Sequence, residues 1–502
     1  MDLFFAVSPL LAVTLGALLL MLVDALSPSA RANDLALASA VTLLAGAALS
    51  IAVWVAGPET LDEAARLAPY VLTDRFAMFF DFVICLGGAL AALLAVGYMP
   101  EHGLERGEFY PLMLLSAVGG MVLAGAGDLL SLFLGLETMS LGVYAMTGFR
   151  RGSARSTEAA MKYFVLGSFA ACLLLYGGAL LYGATGHTSL VAIGQRLAEM
   201  AGGRSSSWTA VPLVVMGLML VLVGLLFEVS AVPFHMWAPD AYEGAPTPAT
   251  TFMAVAVKSA AFAMMLRVLW TAFGDPLSTS WAAGWPPVIA ASAVLTMTVA
   301  NVVAGRQESV KRMLAYSSIA HAGYVLIAVV ASVRQNGHEA EASVLFYLLA
   351  YTASTVGAFG ALVLCGSKGA EAVSYEDLAG VGRRHPAAGL AFSLFLLSLA
   401  GIPPTAGFFA KFYVFRAAIY GGGGLYWLAV LGLINTVIGA YYYLRVIVYM
   451  YMREPLPGAK IAVPMRSGYV AAALLACAIL VLVLGVFPGP SLELAGQAPA
   501  HG

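Results

Sequence analysis

Long apolar runs separated by short polar stretches set the architecture of the chain. Windows of about 20 predominantly apolar residues, the length that spans about 30 Å of hydrocarbon as a helix, recur from one end to the other. They predict fourteen spanning helices, near 4–26, 34–56, 76–97, 108–126, 128–148, 157–183, 209–240, 247–272, 281–304, 311–332, 341–366, 386–419, 424–451 and 467–488. The first window opens on an acid, Asp2, rather than on a basic stretch, and it is long enough to span. It therefore reads as a helix and not as a signal peptide.

Two windows are interrupted. LLFEVSAVPFHMWAPD, residues 225–240, places Glu228, Pro233 and His235 within helix seven; LAGIPPTAGFFAKFYVF, residues 399–415, places Pro403, Pro404 and Lys411 within helix twelve. The interruptions are offset by five helices, and an offset of five reverses the direction across the membrane. Helices 4–8 and 9–13 thus read as two inverted repeats, with broken helices at matching positions where unwound backbone near the midplane serves ion sites. The division this implies is a three-helix segment at 1–100, a first repeat at 101–275, a second at 276–455, and helix fourteen with a tail at 456–502.

Composition agrees: 61% of residues are hydrophobic and 10% charged, against roughly 25% charged in a soluble domain. The net charge of −2 offers nothing to nucleic acid. Cys85, Cys172, Cys365 and Cys477 show no metal-binding spacing and read as small core residues.

The distribution of Lys and Arg sets the orientation. Loops after odd-numbered helices carry Arg31, Arg106, Arg150, Arg151, Arg155, Arg306, Lys311, Arg312, Lys368, Arg383, Arg384, Arg453, Lys460 and Arg466, while loops after even-numbered helices carry Arg66, Arg75, Arg196, Arg204 and Arg334. This bias puts the first set in the cytoplasm and both termini outside. Arg267, Arg416 and Arg445 lie within helices but away from their centres, as stems reaching for the interface would.

Glu137, Lys162, Glu228, Lys258 and Lys411 remain, set within the apolar windows. Each costs about 2.5–3.5 kcal/mol on insertion scales, so together they cost on the order of 10 kcal/mol if left facing lipid. They must face the bundle interior, pair, or meet water. Two readings stay open: a structural ion-pair network, or a proton or cation path. His235 and His321 favour the path, because an imidazole can take and release a proton near neutral pH.

GLETMSLGVYAMTGFRR, STEAAMKYFVLGSFA, SAVPFHMWAPDAYEGAPTP, KRMLAYSSIAHAGYVLIA and AGIPPTAGFFAKFYVFRAA resemble the subunit N family of bacterial respiratory complex I, the proton-pumping NADH:quinone oxidoreductase. The resemblance runs through nearly the whole chain. The related subunit L is longer, with a lateral helix; subunit M usually has a glutamate after the helix-twelve break; Mrp-type antiporter subunits lack the MWAPDAYEGAPTP wording. The resemblance implies that Glu137 governs the charge of a neighbouring lysine, that Lys258 passes the proton between half-channels, and that Lys411 lies on the output side. It places Lys162 and His321 at polar positions along the same axis. It also implies that the chain carries no cofactor, with NADH, FMN, iron–sulfur clusters and quinone bound by other subunits. The partners it implies are subunit M, the lateral helix of subunit L, the small subunits J and K, and the lipid bilayer. At one position the chain departs from the pattern: the family reads FKVSAVPFH at helix seven and this chain reads FEVSAVPFH, with Glu228 in place of the lysine. A sodium/proton antiporter subunit and a non-translocating scaffold are the alternative readings.

Overall fold

The computed structural model describes residues 2–26, 32–57, 67–202, 212–333, 337–366, 371–421, 424–455 and 462–498. It is an all-α polytopic membrane protein. Eleven helices are long and apolar enough to cross a membrane, and three shorter apolar ones stand at the remaining predicted positions. In chain order these are α1 (Ser8–Leu26), α2 (Ala32–Ala56), α3 (Arg75–Glu101), α4 (Phe109–Ala124), α5 (Leu129–Thr147), α6 (Ala154–Thr185) and α7 (Pro212–Glu228). They continue with α8 (Thr247–Ala272), α9 (Pro286–Ala304), α10 (Val310–Ala331) and α11 (Gly337–Leu364). The last are α12, in two pieces (Pro386–Ala400 and Ala406–Tyr420), α13 (Tyr426–Met452) and α14 (Gly468–Val486). Among the described residues there is no strand, only two isolated bridges, Asp128 with Ser189 and Ser309 with Ser374.

Those bridges repeat a pattern. Asp128 and Ser309 are the N-caps of α5 and α10, each accepting from a backbone N–H of its first turn, and each bridge partner lies in the loop two helices on. Helix pairing shows the same offset: α4 packs on α5 and α6 on α7, as α9 packs on α10 and α11 on α12. α8, α10 and α11 lie innermost and are almost wholly buried, whereas α1, α6, α13 and α14 keep broad apolar surface outward.

Polar contacts separate the two ends of the bundle. At one end Glu371, after α11, meets Arg150, after α5, and Lys311 at the start of α10. At the other, Arg267 near the end of α8 holds Asp74, before α3, and donates to the Ala124 carbonyl at the end of α4 (2.9 Å). Loops after odd-numbered and even-numbered helices thus gather at opposite ends. Arg31, Arg66, Arg204, Arg334, Lys368 and Lys460 lie outside the described residues.

Two expectations are corrected here. Arg267 is not a stem ending in water: it is 1% exposed and tied to partly exposed Asp74 and to a helix-end carbonyl, which both point at it. Cys172 is exposed, on the outward face of α6; the other three cysteines are buried.

Candidate functional site: two broken helices and a buried polar row

Both breaks begin in the same way. α7 ends at Glu228 and the chain turns back at Ser230 (φ 61°), with Ala231 N–H bonded to the Leu226 carbonyl at 2.8 Å. The first piece of α12 ends at Ala400 and the chain turns back at Gly401 (φ 87°), with Ile402 N–H bonded to the Leu397 carbonyl at 3.0 Å. A left-handed residue followed by a backward bond is how a helix closes its last carbonyls. The helix then cannot continue through Pro233 or Pro403 and Pro404.

The breaks differ in what satisfies their freed backbone. At α7 the work falls to neighbouring side chains. Val232 N–H donates to Thr296 Oγ1 (2.9 Å), Ser292 Oγ donates to the Val232 carbonyl (2.9 Å), and Trp237 Nε1 donates to the Phe227 carbonyl (3.2 Å). At α12 it falls to an amine: Lys411 Nζ donates to the carbonyls of Leu399 and Ala400, both at 3.0 Å. Lys411 is buried, and its Nζ lies 4.9 Å from the centre of the Tyr324 ring, close enough for a cation–π contact. A cavity of about 380 Å³ leads from Gly401 and Lys411 past Phe412 to Arg416 and Tyr420 at the far end of α12.

Lys258 stands on α8 between two π-helical turns, Met253–Val257 and Val268–Ala272. Such widened turns redirect side chains and are frequent at functional sites. Its Nζ is buried and donates to Ser318 of α10, at 2.9 Å to the carbonyl and 2.6 Å to Oγ; Tyr351 of α11 donates to the same Oγ at 2.8 Å. One turn along α10, His321 pairs through Nδ1 with the Tyr347 hydroxyl (2.6 Å) and through Nε2 with that of Tyr443 (3.2 Å). Tyr443 contacts Ser317, and its ring lies against Tyr442 (4.4 Å). Tyr442 donates to Asn301 (2.9 Å), which donates to the Tyr324 hydroxyl (3.1 Å) beside Lys411. A buried polar row therefore runs from Lys258 through Ser318 and His321 to Lys411. Neither amine has an ion-pair partner among the described residues. Hydroxyls, an imidazole and amines can each receive a proton and release one.

The acids form a separate cluster. Glu228, the last residue of α7, is 5% exposed and has neither a hydrogen bond nor an ion pair among the described residues. Glu137 on α5 is half-buried. Around them stand Tyr144 and Tyr163, edge to face at 4.7 Å, with Trp237 stacked on Tyr163 at 4.1 Å. His235 is half-buried in the turn after the break.

Lys162 sits apart from the row. It is 45% exposed and bonds Glu158, one turn back on α6, at 2.7 Å, and Asp240 at 2.9 Å. Asp240 and Glu243, on the short helix Ala238–Gly244 that resumes helix seven, also hold Arg312 of α10 at 2.8 and 3.0 Å. Next to this network lies the Glu371 knot. Lys311 Nζ donates to the Ala245 carbonyl (2.7 Å) and lies 3.3 Å from Glu371, which also accepts from Thr247 (2.7 Å) and Tyr98. Burial alone would favour the neutral acid, but the Lys311 and Arg150 charges outweigh it and, with the two hydroxyl donors, hold the Glu371 carboxyl down to about 2.

The tyrosines of the row and Glu371 are residues that sequence reasoning missed. Helical spacing carried part of the signal: Ser317, His321 and Tyr324 share a face, as do Tyr347 and Tyr351.

Residues 126–439 match the family described as NADH:quinone oxidoreductase/Mrp antiporter, TM. The chain is 67% identical over 504 residues to NADH-quinone oxidoreductase subunit N 1 of Sorangium cellulosum, covering 99% of this chain and 98% of that one. Among solved structures it is similar to a chain of respiratory complex I from Thermus thermophilus, at 35% identity and a TM-score of 0.77 over 97% of this chain and 99% of the other. It shares the fold of a chain of the Mrp complex from Dietzia sp. DQ12-45-1b, with a TM-score of 0.82 at 22% identity over 98% of this chain and 96% of the other.

Proposed function

The chain belongs to the NADH:quinone oxidoreductase/Mrp antiporter family and, within it, to the subunit N group; on that premise we propose that it translocates protons as a membrane subunit of NADH:quinone oxidoreductase. Protons cross through Glu137 and Glu228, Lys258, His321 and Lys411, driven by quinone reduction in other subunits. Redox groups are bound elsewhere in the complex; this chain supplies the path. It lies in a bacterial inner membrane beside other membrane-arm subunits, with the Glu371 end toward the cytoplasm and the α12 cavity toward the periplasm. Residues 101–275 and 276–455 act as two inverted repeats, each contributing one broken helix. Lys162 and His235 belong to the cytoplasmic approach, where the network of Asp240 and Arg312 positions the helix that follows the first break.

The observation that carries this reading is the row of buried polar side chains between Lys258 and Lys411. Amines buried without counter-charges are costly in a membrane, and a fold that only needed stability would pair them or replace them with apolar groups. The antiporter reading has support from fold alone, since the Mrp likeness falls at 22% identity.

The test is Lys258→Ala in the intact complex, reconstituted in liposomes. The complex should assemble, while proton pumping coupled to NADH oxidation falls by at least about tenfold. Undiminished pumping would leave the chain a scaffold. A sodium gradient formed in place of a proton gradient would favour the antiporter reading.

A further inference from the structure

Two cavities meet at one side chain. The cavity that leads away from Lys411 ends at Arg416 and Tyr420. A second, of about 280 Å³, lies between His338 and Glu339 at the start of α11, Arg416 of α12, and Glu493 of the short helix Pro488–Gly496 that follows α14. Arg416 lines both, and it stands five residues beyond Lys411, about 7.5 Å further along the helix. Its guanidinium is held in place: it donates to Glu339 Oε2 at 3.1 Å and lies 5.4 Å from the centre of the Tyr413 ring. Among the described residues lining the first cavity, only Lys411 and Arg416 bear charge, and Phe408, Phe412, Ile419 and Leu433 make its walls apolar. The carboxylates stand on the other side of Arg416, in the second cavity, where Glu339 is 52% exposed against 35% for Arg416. Water screens Glu339 more than Arg416, so the passage from Lys411 meets the positive end of the pair.

We infer that Arg416 seals the exit passage against the return of protons, acting through its fixed positive charge at the point where the two cavities meet. This rests on the functional reading above and adds what keeps the open end of the row from leaking. Arginine does not release its proton, so Arg416 takes no part in handing protons on. A fixed arginine in a narrow passage excludes cations, protons among them. At an effective dielectric of about 20, one unit charge about 10 Å away lowers the local occupancy of a cation by about tenfold. A fixed charge slows passage both ways and gives no direction. Direction comes from the driven release of the Lys411 proton, and the seal limits what flows back between turnovers. Glu339 and the Tyr413 ring keep the guanidinium at the mouth, and Glu339, His338 and Glu493 are the ionisable groups a proton meets once past it.

The experiment uses the assembled complex in liposomes. A proton gradient is imposed by a pH jump without NADH, and its decay, corrected for protein-free liposomes, measures return through the protein. Native electrophoresis checks assembly in every sample. The decay should be about tenfold faster in Arg416→Gln and near the wild-type rate in Arg416→Lys, which keeps the charge. Combining Arg416→Gln with Lys411→Ala should slow the decay again, because the row behind the mouth is then cut. Glu339→Gln leaves the arginine charge undiminished and an oxygen for it to bond, so its decay should be no faster than wild type. Equally fast decay in Arg416→Gln and Arg416→Lys would overturn the role of charge. Fast decay that persists without Lys411, or that appears in Glu339→Gln, would also overturn the inference. Wild-type decay in Arg416→Gln, with pumping lost in Lys258→Ala, would overturn this inference alone. Wild-type pumping in Lys258→Ala would overturn the functional reading and this inference with it.

Discussion

The break in α7 and the break in α12 share a backbone and differ in chemistry. Each closes with a left-handed residue and a bond back to the carbonyl five residues earlier, and each has a proline within three residues. At α12 the exposed helix end is covered by Lys411, so the negative end of the dipole faces a cation-capable group. At α7 the helix end is covered by neutral donors, Ser292 and Trp237, and its last residue is an unpaired acid. The backbone thus makes a site of fixed shape, and the side chains placed around it decide whether the helix end meets an amine or neutral donors.

Several substitutions break or sharpen this comparison. The largest effect falls on the row that starts beyond the first break and ends at the second. His321→Ala removes the links to Tyr347 and Tyr443 and should lower coupled pumping by at least about tenfold while the complex remains assembled. Pumping by reconstituted liposomes, normalised to NADH oxidation, checks it.

The next effect concerns how the exit of the first break is tied to the second repeat. Glu371 is held at about 2 against an ordinary 4.5, so it binds fewer protons folded than unfolded. Its stabilisation is complete above about pH 5 and disappears as pH falls through 4.5 toward 2, for a total on the order of 3 kcal/mol. Glu371→Gln should lower the unfolding temperature at pH 7 and flatten its dependence on acid pH. An unchanged acid limb would show that the Lys311 and Arg150 contacts do not hold the carboxyl.

Thr296→Val tests whether neutral donors and acceptors sustain the α7 break. It strands the buried Val232 N–H at a cost of about 1–3 kcal/mol, read as a lower unfolding temperature with pumping per NADH unchanged. The smallest effects contrast the two turning residues. Gly401→Ala should destabilise by about 1–2 kcal/mol, because an L-residue is strained there and a Cβ would lie 3.0 Å from Lys411 Cδ. Ser230→Gly should stabilise by up to about 1 kcal/mol, since the same left-handed turn now costs nothing. Equal and like-signed effects would dissolve the distinction between the two turns.

Much of this was legible in the chain itself. Spans follow from hydropathy because lipid permits little else, and both breaks follow from Pro233, Pro403 and Pro404. Lys258, His321 and Lys411 stand out because charge and imidazole are rare in such helices. Other features needed three dimensions. Tyr347, Tyr351 and Tyr443 look like ordinary core aromatics until their hydroxyls are seen to converge on His321 and Ser318. Glu371 looks like a solvated loop acid, and its burial depends on loops far apart in sequence meeting at one end of the bundle. The pairing of Lys162 with Asp240 requires the chain after the α7 break to fold back against α6. Arg267 reads as a snorkelling stem because nothing local announces Asp74, 193 residues away.

The central claim is that protons themselves move along the row and leave through Lys411, and Lys411→Arg tests it most directly. Arginine keeps the charge and can still donate to the Leu399 and Ala400 carbonyls, but it does not release its proton. Proton pumping per NADH oxidised, measured in liposomes beside Lys411→Ala, should be lost in the arginine variant nearly as fully as in the alanine one. Wild-type pumping with arginine at this position would contradict the account, leaving Lys411 as a fixed charge that caps a broken helix.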